Sequence, residues 1–149
     1  MAAYNFEARQ REALLAGSTR FILRASEGKR HARIAEQVAL RQGKSRSGAV
    51  FATAVCTYRA RILFAERGIV RVLGPVFTSE GEAVFRLMQQ AEQGMPQAED
   101  HLAKVAEAGG FESWPDLVRW HAEQGAADEN GLFAREVIGL TPLSELAPA

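Results

Sequence analysis

Six side chains able to hold an anion or handle a proton crowd one short stretch: Arg20, Arg24, Lys29, Arg30, His31 and Arg33. Guanidinium forks match phosphate oxygens, and phosphate contacts supply most sequence-independent affinity for nucleic acid. The cluster therefore suits an anionic partner, RNA or a nucleotide-like ligand. Solvated surface charge, paired in part with acidic residues elsewhere, is the competing reading. Lys44 and Arg46 lie in a Gly/Ser loop (QGKSRSG) that can clamp a phosphate backbone or simply lie in solvent. Arg59, Arg61 and Arg71 complete the candidate nucleic-acid-binding set, because alternation along two paired strands would pave one sheet face with them. Tyr58 falls on the opposite side of its strand, which favours electrostatic, sequence-tolerant binding over stacking on bases.

Candidates for proton transfer are few. His31 sits among cations, which disfavour its protonation and suit a neutral, hydrogen-bonding ring. With Arg24 it is the candidate for catalysis if the protein is an enzyme, against a plain surface histidine. His101 and His121 fall on helical segments with apolar stripes and read as packing or capping residues. Cys56, the single cysteine, lies in an apolar strand and reads as core; alone it excludes an internal disulfide. With three scattered histidines it gives no ligand spacing for a metal, and no cofactor is implied. Trp114 and Trp120 read as core or apolar contacts, and Glu99, Asp100, Glu107 and Glu112 as a solvated helical face.

The scaffold that positions these groups is 149 residues long and 47% hydrophobic, which suits one domain over residues 1–149. The formal charge is zero, but residues 1–72 hold 14 Lys/Arg against 5 Asp/Glu and residues 73–149 hold 4 against 13. Such a split points to an anionic partner for the first half or to packing of one half on the other. No apolar run approaches a membrane span, and the start MAAYNFEAR lacks the apolar core of a signal peptide, so a soluble, cytoplasmic protein without membrane contact is expected.

Local patterns order the elements. Asn5 is expected to cap a helix over 6–16 that stops at Gly17. Residues 19–25 (TRFILRA) alternate as a half-buried strand with Arg20 and Arg24 outward, and 36–41 form a short strand. Residues 58–65 and 69–73 pair as a hairpin about Glu66-Arg67-Gly68, with Phe64 facing Val70 and Ile62 facing Val72, and Gly74-Pro75 ends it. Ser79 and Glu82 suggest a capping box for a helix carrying Val84, Leu87, Met88 and Ala91. A second helix runs between Gln97 and Gly109, a third starts at Ser113 with Pro115 in its first turn, and 132–140 is a closing strand. Four or five strands with helices inserted give an α+β domain.

Several of these segments together resemble the ASCH domains, a group with the PUA-like fold of a small mixed β-barrel flanked by helices. Residues 6–24 resemble the family's opening, in which a short helix ends in glycine before a G-x-K-x-x-T-x-R motif. Gly17 and Arg24 match, while Thr19 stands at the lysine and Ile22 at the threonine. GKRHARIAEQVAL at 28–40 is similar to a G-R-H-A-R-P-G-D-x-L-x-L stretch, with Ile34-Ala35-Glu36 replacing Pro-Gly-Asp. AEAGGFESWPDL at 106–117 resembles the Gly-Phe segment opening the late helix, with Trp120 in the usual aromatic place. Residues 74–96 then look like an enlarged helical connection.

The resemblance implies binding of RNA or modified nucleobases; some members hydrolyse acylated cytidine and others are reported to cleave RNA. The amidohydrolase pattern uses the motif lysine and threonine with a glutamate, and those positions here look like Thr19, Ile22 and Gly109, with Glu107 two residues away. Ile22 cannot be a nucleophile, and Thr19 lacks the charge that holds an oxyanion. The expected function is thus an RNA- or nucleotide-binding ASCH/PUA-like domain without that activity. The alternative is a ribonuclease or nucleoside-processing hydrolase using other residues, and a third reading is a structural relic whose charged halves pair.

Overall fold

The computed structural model describes residues 2–25, 31–43, 48–125 and 127–141. Its elements run β1 (Ala2–Phe6), α1 (Ala8–Leu15), β2 (Phe21–Arg24), β3 (Gln37–Gln42), β4 (Ala49–Ala65), β5 (Gly68–Phe77), a 3-10 turn (Ser79–Gly81), α2 (Glu82–Ala91), α3 (Ala98–Ala108), α4 (Trp114–Gln124) and β6 (Phe133–Leu140). Six strands form one mixed sheet in the order β1-β3-β4-β6-β2, with β5 also on β4. Only β1 and β3 run parallel. Strand β4, 17 residues long, organises it: its first half pairs with β3 and its second with β5 and β6. The domain is α+β, but β1 and β2 are the unpaired ends of an open sheet, so a closed barrel is not shown. The Arg24 side chain crosses that gap, from β2 to the Asn5 carbonyl of β1.

Two apolar cores explain where the chain buries its residues. One packs Phe21, Leu23, Tyr58, Ile62 and Phe64 against α2, α3 and α4, and the other packs Tyr4, Phe6, Leu14, Ile22, Val38 and Leu40. Because successive strand residues point to opposite faces, β2 sends Phe21 and Leu23 into the first core and Ile22 into the second. Its expected half-buried character is corrected accordingly. Arg24 shares the Ile22 face, so it points inward over Tyr4 and Phe6 instead of into solvent.

Other differences have local causes. The first segment is a strand followed by a shorter helix: β1 pairs with β3, and Glu7, not Asn5, caps α1 through a capping box with Gln10. The hairpin turns at Glu66-Arg67 with Ile62 opposite Val72 as expected, but Phe64 lies opposite Ile69 because Val70 is an extra residue in a bulge. Strand β5 continues past Gly74-Pro75, which the ladder absorbs as a second irregularity between Arg59 and Arg61, Gly74 taking φ +62°. The helical connection therefore begins after Phe77. No side chain caps the 3-10 turn or α2, so the Ser79–Glu82 capping box does not form. Ser113 does cap α4, accepting from the Asp116 backbone N–H.

Candidate functional site

Arg24 ends β2 and shares a cavity wall with residues of α1 and α4. Its Nη1 donates to the Leu23 carbonyl at 2.9 Å and its Nη2 to the Asn5 carbonyl at 3.3 Å, and the guanidinium lies 5.2 Å from the Phe6 ring centre and 5.7 Å from that of Tyr4. It forms no ion pair with any described residue. Burial pulls its pKa down to about 10, with Tyr4 opposing the shift, so it remains a cation at neutral pH. A partly desolvated cation is costly to leave without a counter-charge; this one has none among the described residues and faces a cavity.

That cavity, about 20 Å³, is lined by Gln10, Thr19, Ile22, Arg24, Gly109 and His121 together with Phe6, Leu14, Leu23, Gly110, Phe111 and Trp120. Its volume suits about one water. Thr19 is buried, and a methyl group added to Gly110 would stand 3.2 Å from its Oγ1, so glycine lets the loop after α3 close over the hydroxyl. The positions compared above with the family's lysine, threonine, glutamate and arginine (Thr19, Ile22, Gly109 and Arg24) all lie on this one cavity. Glu107 does not; it is exposed and lines a neighbouring groove of about 510 Å³. Gln10, Gly110, Phe111 and Trp120 line both spaces, so the two aromatic rings, 5.9 Å apart, stand between cavity and groove. The groove's other charges are Arg9, Glu112, Asp116, Arg119 and Glu123, with Asp116 paired to Arg119 at 3.1 Å, leaving an acidic excess at the mouth.

His121 adds a further polar group to the wall. It is 2% exposed, wedged against Phe64 and Trp120, and its Nδ1 accepts from Arg135 Nε at 3.1 Å. Burial first, then the Arg135 and Arg24 charges, push its pKa down to about 3. The ring is therefore neutral with its proton on Nε2, and Nε2 has no hydrogen-bond partner.

The remaining candidates are dispersed. Arg33, Arg59 and Arg61 line a shallow groove of about 500 Å³ on the outer sheet face with Leu73, Val76 and Glu136. Glu136 neutralises part of it, at 3.2 Å from Arg61 and 3.8 Å from Arg59, and Arg59 Nη1 also donates to the Ala32 carbonyl. Arg71 lies exposed opposite Leu63 on the same face. Arg20 uses its backbone to join α3 to the end of β6. Lys29, Arg30, Lys44 and Arg46 lie outside the described residues. His31 accepts at Nδ1 from the Tyr4 hydroxyl (3.1 Å) and donates from Nε2 to the Ala25 carbonyl (2.7 Å), while Tyr4 Oη accepts from the Ala32 N–H. The ring thus ties β1, through Tyr4, to the residue after β2, through Ala25, and His31 is not on the Arg24 cavity. Cys56 is fully buried with its thiol pKa raised by burial, as a core residue should be. Among the described residues no cluster has the make-up of a metal site, and no helix is long and apolar enough to cross a membrane.

Sequence reasoning assigned His121, Trp120 and Phe111 no ligand role, and set Arg24 outward on its strand as an anion-binding residue and catalytic candidate. No local signal marks His121, since its partner Arg135 comes from a different element and the cavity exists only once α1, β2 and α4 are assembled. In comparisons with known proteins, no family model, curated protein or solved structure matches this chain.

Proposed function

We propose that this chain is a nucleoside- or nucleotide-binding domain of the ASCH, PUA-like kind, lacking that family's amide-hydrolysing chemistry. The observation that carries the reading is Arg24: a half-buried guanidinium with no carboxylate partner among the described residues, lining a cavity beside an unpaired buried donor. An ionisable group shifted by desolvation and facing a cleft is a candidate for a functional site. The cavity's walls fit a planar heterocycle, with aromatic rings of Phe6, Phe111 and Trp120 around a few polar groups. A base is larger than the present cavity, so entry requires Phe111 and Trp120 to swing aside and merge it with the outer groove. The acidic residues at that mouth oppose phosphate, which favours a nucleoside over its monophosphate.

Hydrolysis is disfavoured by the same geometry. Thr19 is the only hydroxyl side chain on the cavity among the described residues, and His121 cannot act as its base because its one free nitrogen already carries the proton. RNA held along Arg33, Arg59 and Arg61 is a second reading, supported by their shared groove. Calorimetric titration of the purified chain with uridine, cytidine, inosine, adenosine and the 5′-monophosphates tests the first. Saturable binding of at least one nucleoside is expected, tighter than its monophosphate, with no cytidine released from N4-acetylcytidine. Absence of binding by every compound at millimolar concentration refutes it.

A further inference from the structure

The polar side chains around the Arg24 cavity are unevenly supplied with donors. Arg24 offers only N–H groups, and Gln10 has its Oε1 engaged by the Glu7 backbone N–H at 2.9 Å, which leaves its amide N–H groups. The Arg135 guanidinium, itself anchored by Nη1 on the Ala134 carbonyl at 2.9 Å and lying over Phe133, occupies His121 Nδ1 from the far side. An arginine can only donate, so the imidazole must present its lone pair to Arg135 and its hydrogen at Nε2. That Nε2–H is buried, lies in a ring that lines the cavity, and has no partner. The Thr19 hydroxyl can either give or accept.

Resting on the nucleoside-binding reading, we propose that His121 is a specificity-determining residue that selects a base carrying an oxo group at its inner end over one carrying an amino group. Arg135 is the positioning residue that sets the His121 tautomer. A nucleoside must point its glycosidic bond out toward the groove, so the substituent farthest from the sugar enters first. In uridine and inosine that substituent is a carbonyl oxygen, which accepts from Arg24 and His121. In cytidine and adenosine it is an amino group, which would meet N–H groups and leave buried donors unpaired. Sites that lose a required acceptor discriminate strongly, because both sides then keep unsatisfied polar groups.

The experiment compares uridine with cytidine and inosine with adenosine by calorimetry, on the wild-type chain and on His121→Phe and Arg135→Met. The wild type is expected to favour the oxo partner of each pair by roughly tenfold or more, and both variants to bring the ratio toward one while still binding. Nitrogen-detected NMR of the wild-type His121 ring, which does not depend on the variants folding, should show the proton on Nε2 and a change at Nε2 when uridine is added. Equal or inverted preference with binding intact overturns the inference and leaves the nucleoside-binding reading standing, as does a proton on Nδ1. Failure of all four nucleosides to bind removes both.

Discussion

Replacing Arg24 with methionine separates a ligand-binding arginine from a structural strut. In the folded chain burial holds the guanidinium pKa near 10 against an ordinary 12.5, a penalty on the cation of roughly 3 kcal/mol. Because the folded-state pKa of this base is lowered, the penalty applies throughout the pH range below about 10. Against it stand two hydrogen bonds from a charged donor, to the Leu23 and Asn5 carbonyls, worth about 1.5–3 kcal/mol each, and contacts with two aromatic rings of roughly 0.5–2 kcal/mol apiece. Methionine forfeits these gains, removes the penalty and keeps most of the apolar stem packed on Phe6. At the lower ends of these ranges, which suit a group still partly open to solvent, the lost gains exceed the penalty by about 1 kcal/mol, and for a chain of this size the melting temperature should fall by about 2–4 °C. Nucleoside binding should fall by tenfold or more. Thermal unfolding by circular dichroism and titration calorimetry on the same preparation measure both. A loss of more than about 4 kcal/mol in stability would show that Arg24 holds the two ends of the sheet together and would refute the assignment of its charge to a ligand.

Three further outcomes follow from the geometry. The His121 pKa lies near 3 when folded and near 6.5 when unfolded, so the unfolded chain binds the extra proton between those values; stability is full above about pH 6.5 and falls as the pH drops toward 3. Urea unfolding should show roughly 2 kcal/mol lost to this group at pH 5, a component that His121→Gln removes and whose persistence there would contradict the assignment. A Cβ on Gly81 would stand 2.0 Å from the Thr57 carbonyl oxygen, part of the β4 backbone, whereas Gly17 has open space but φ +78°. Gly81→Ala should therefore cost more than about 3 kcal/mol and Gly17→Ala about 1 kcal/mol in denaturant titrations; similar costs would show that steric closure at Gly81 is relieved elsewhere. Arg61→Ala removes a half-exposed partner of Glu136 and should change stability by less than about 1 kcal/mol. If RNA lies on the outer face, labelled single-stranded RNA should bind in a salt-sensitive way that this variant weakens, and unchanged binding removes that second reading.

Much of the element plan was legible because it is local. The helix after Gln97, the Ser113 cap, the turn near Glu66-Arg67 and the closing strand rest on periodicity and capping chemistry a few residues long, and each forms as read. What escaped depended on partners distant in sequence. Residues 2–6 become a strand because β3 lies alongside to accept their hydrogen bonds, and Gly74-Pro75 fails to end β5 because β4 accommodates the extra residue. Arg24 alternates with Leu23 as an exposed residue would, yet β2 is covered on both faces, and alternation cannot reveal a second layer.

By itself the sequence determined the fold class, the inertness of Cys56 and the supply of arginines in the first half, since composition and local pattern suffice for these. Tertiary structure alone decided which of those arginines matters to a cavity and which side chains surround it. Packing on both sides of β2 draws Arg24 partly out of water while offering no carboxylate among the described residues, and Arg135, from β6, dictates the proton position on His121 of α4. Burial and partner identity set charge and tautomer, and both are properties of assembled neighbours, which no stretch of the chain carries alone.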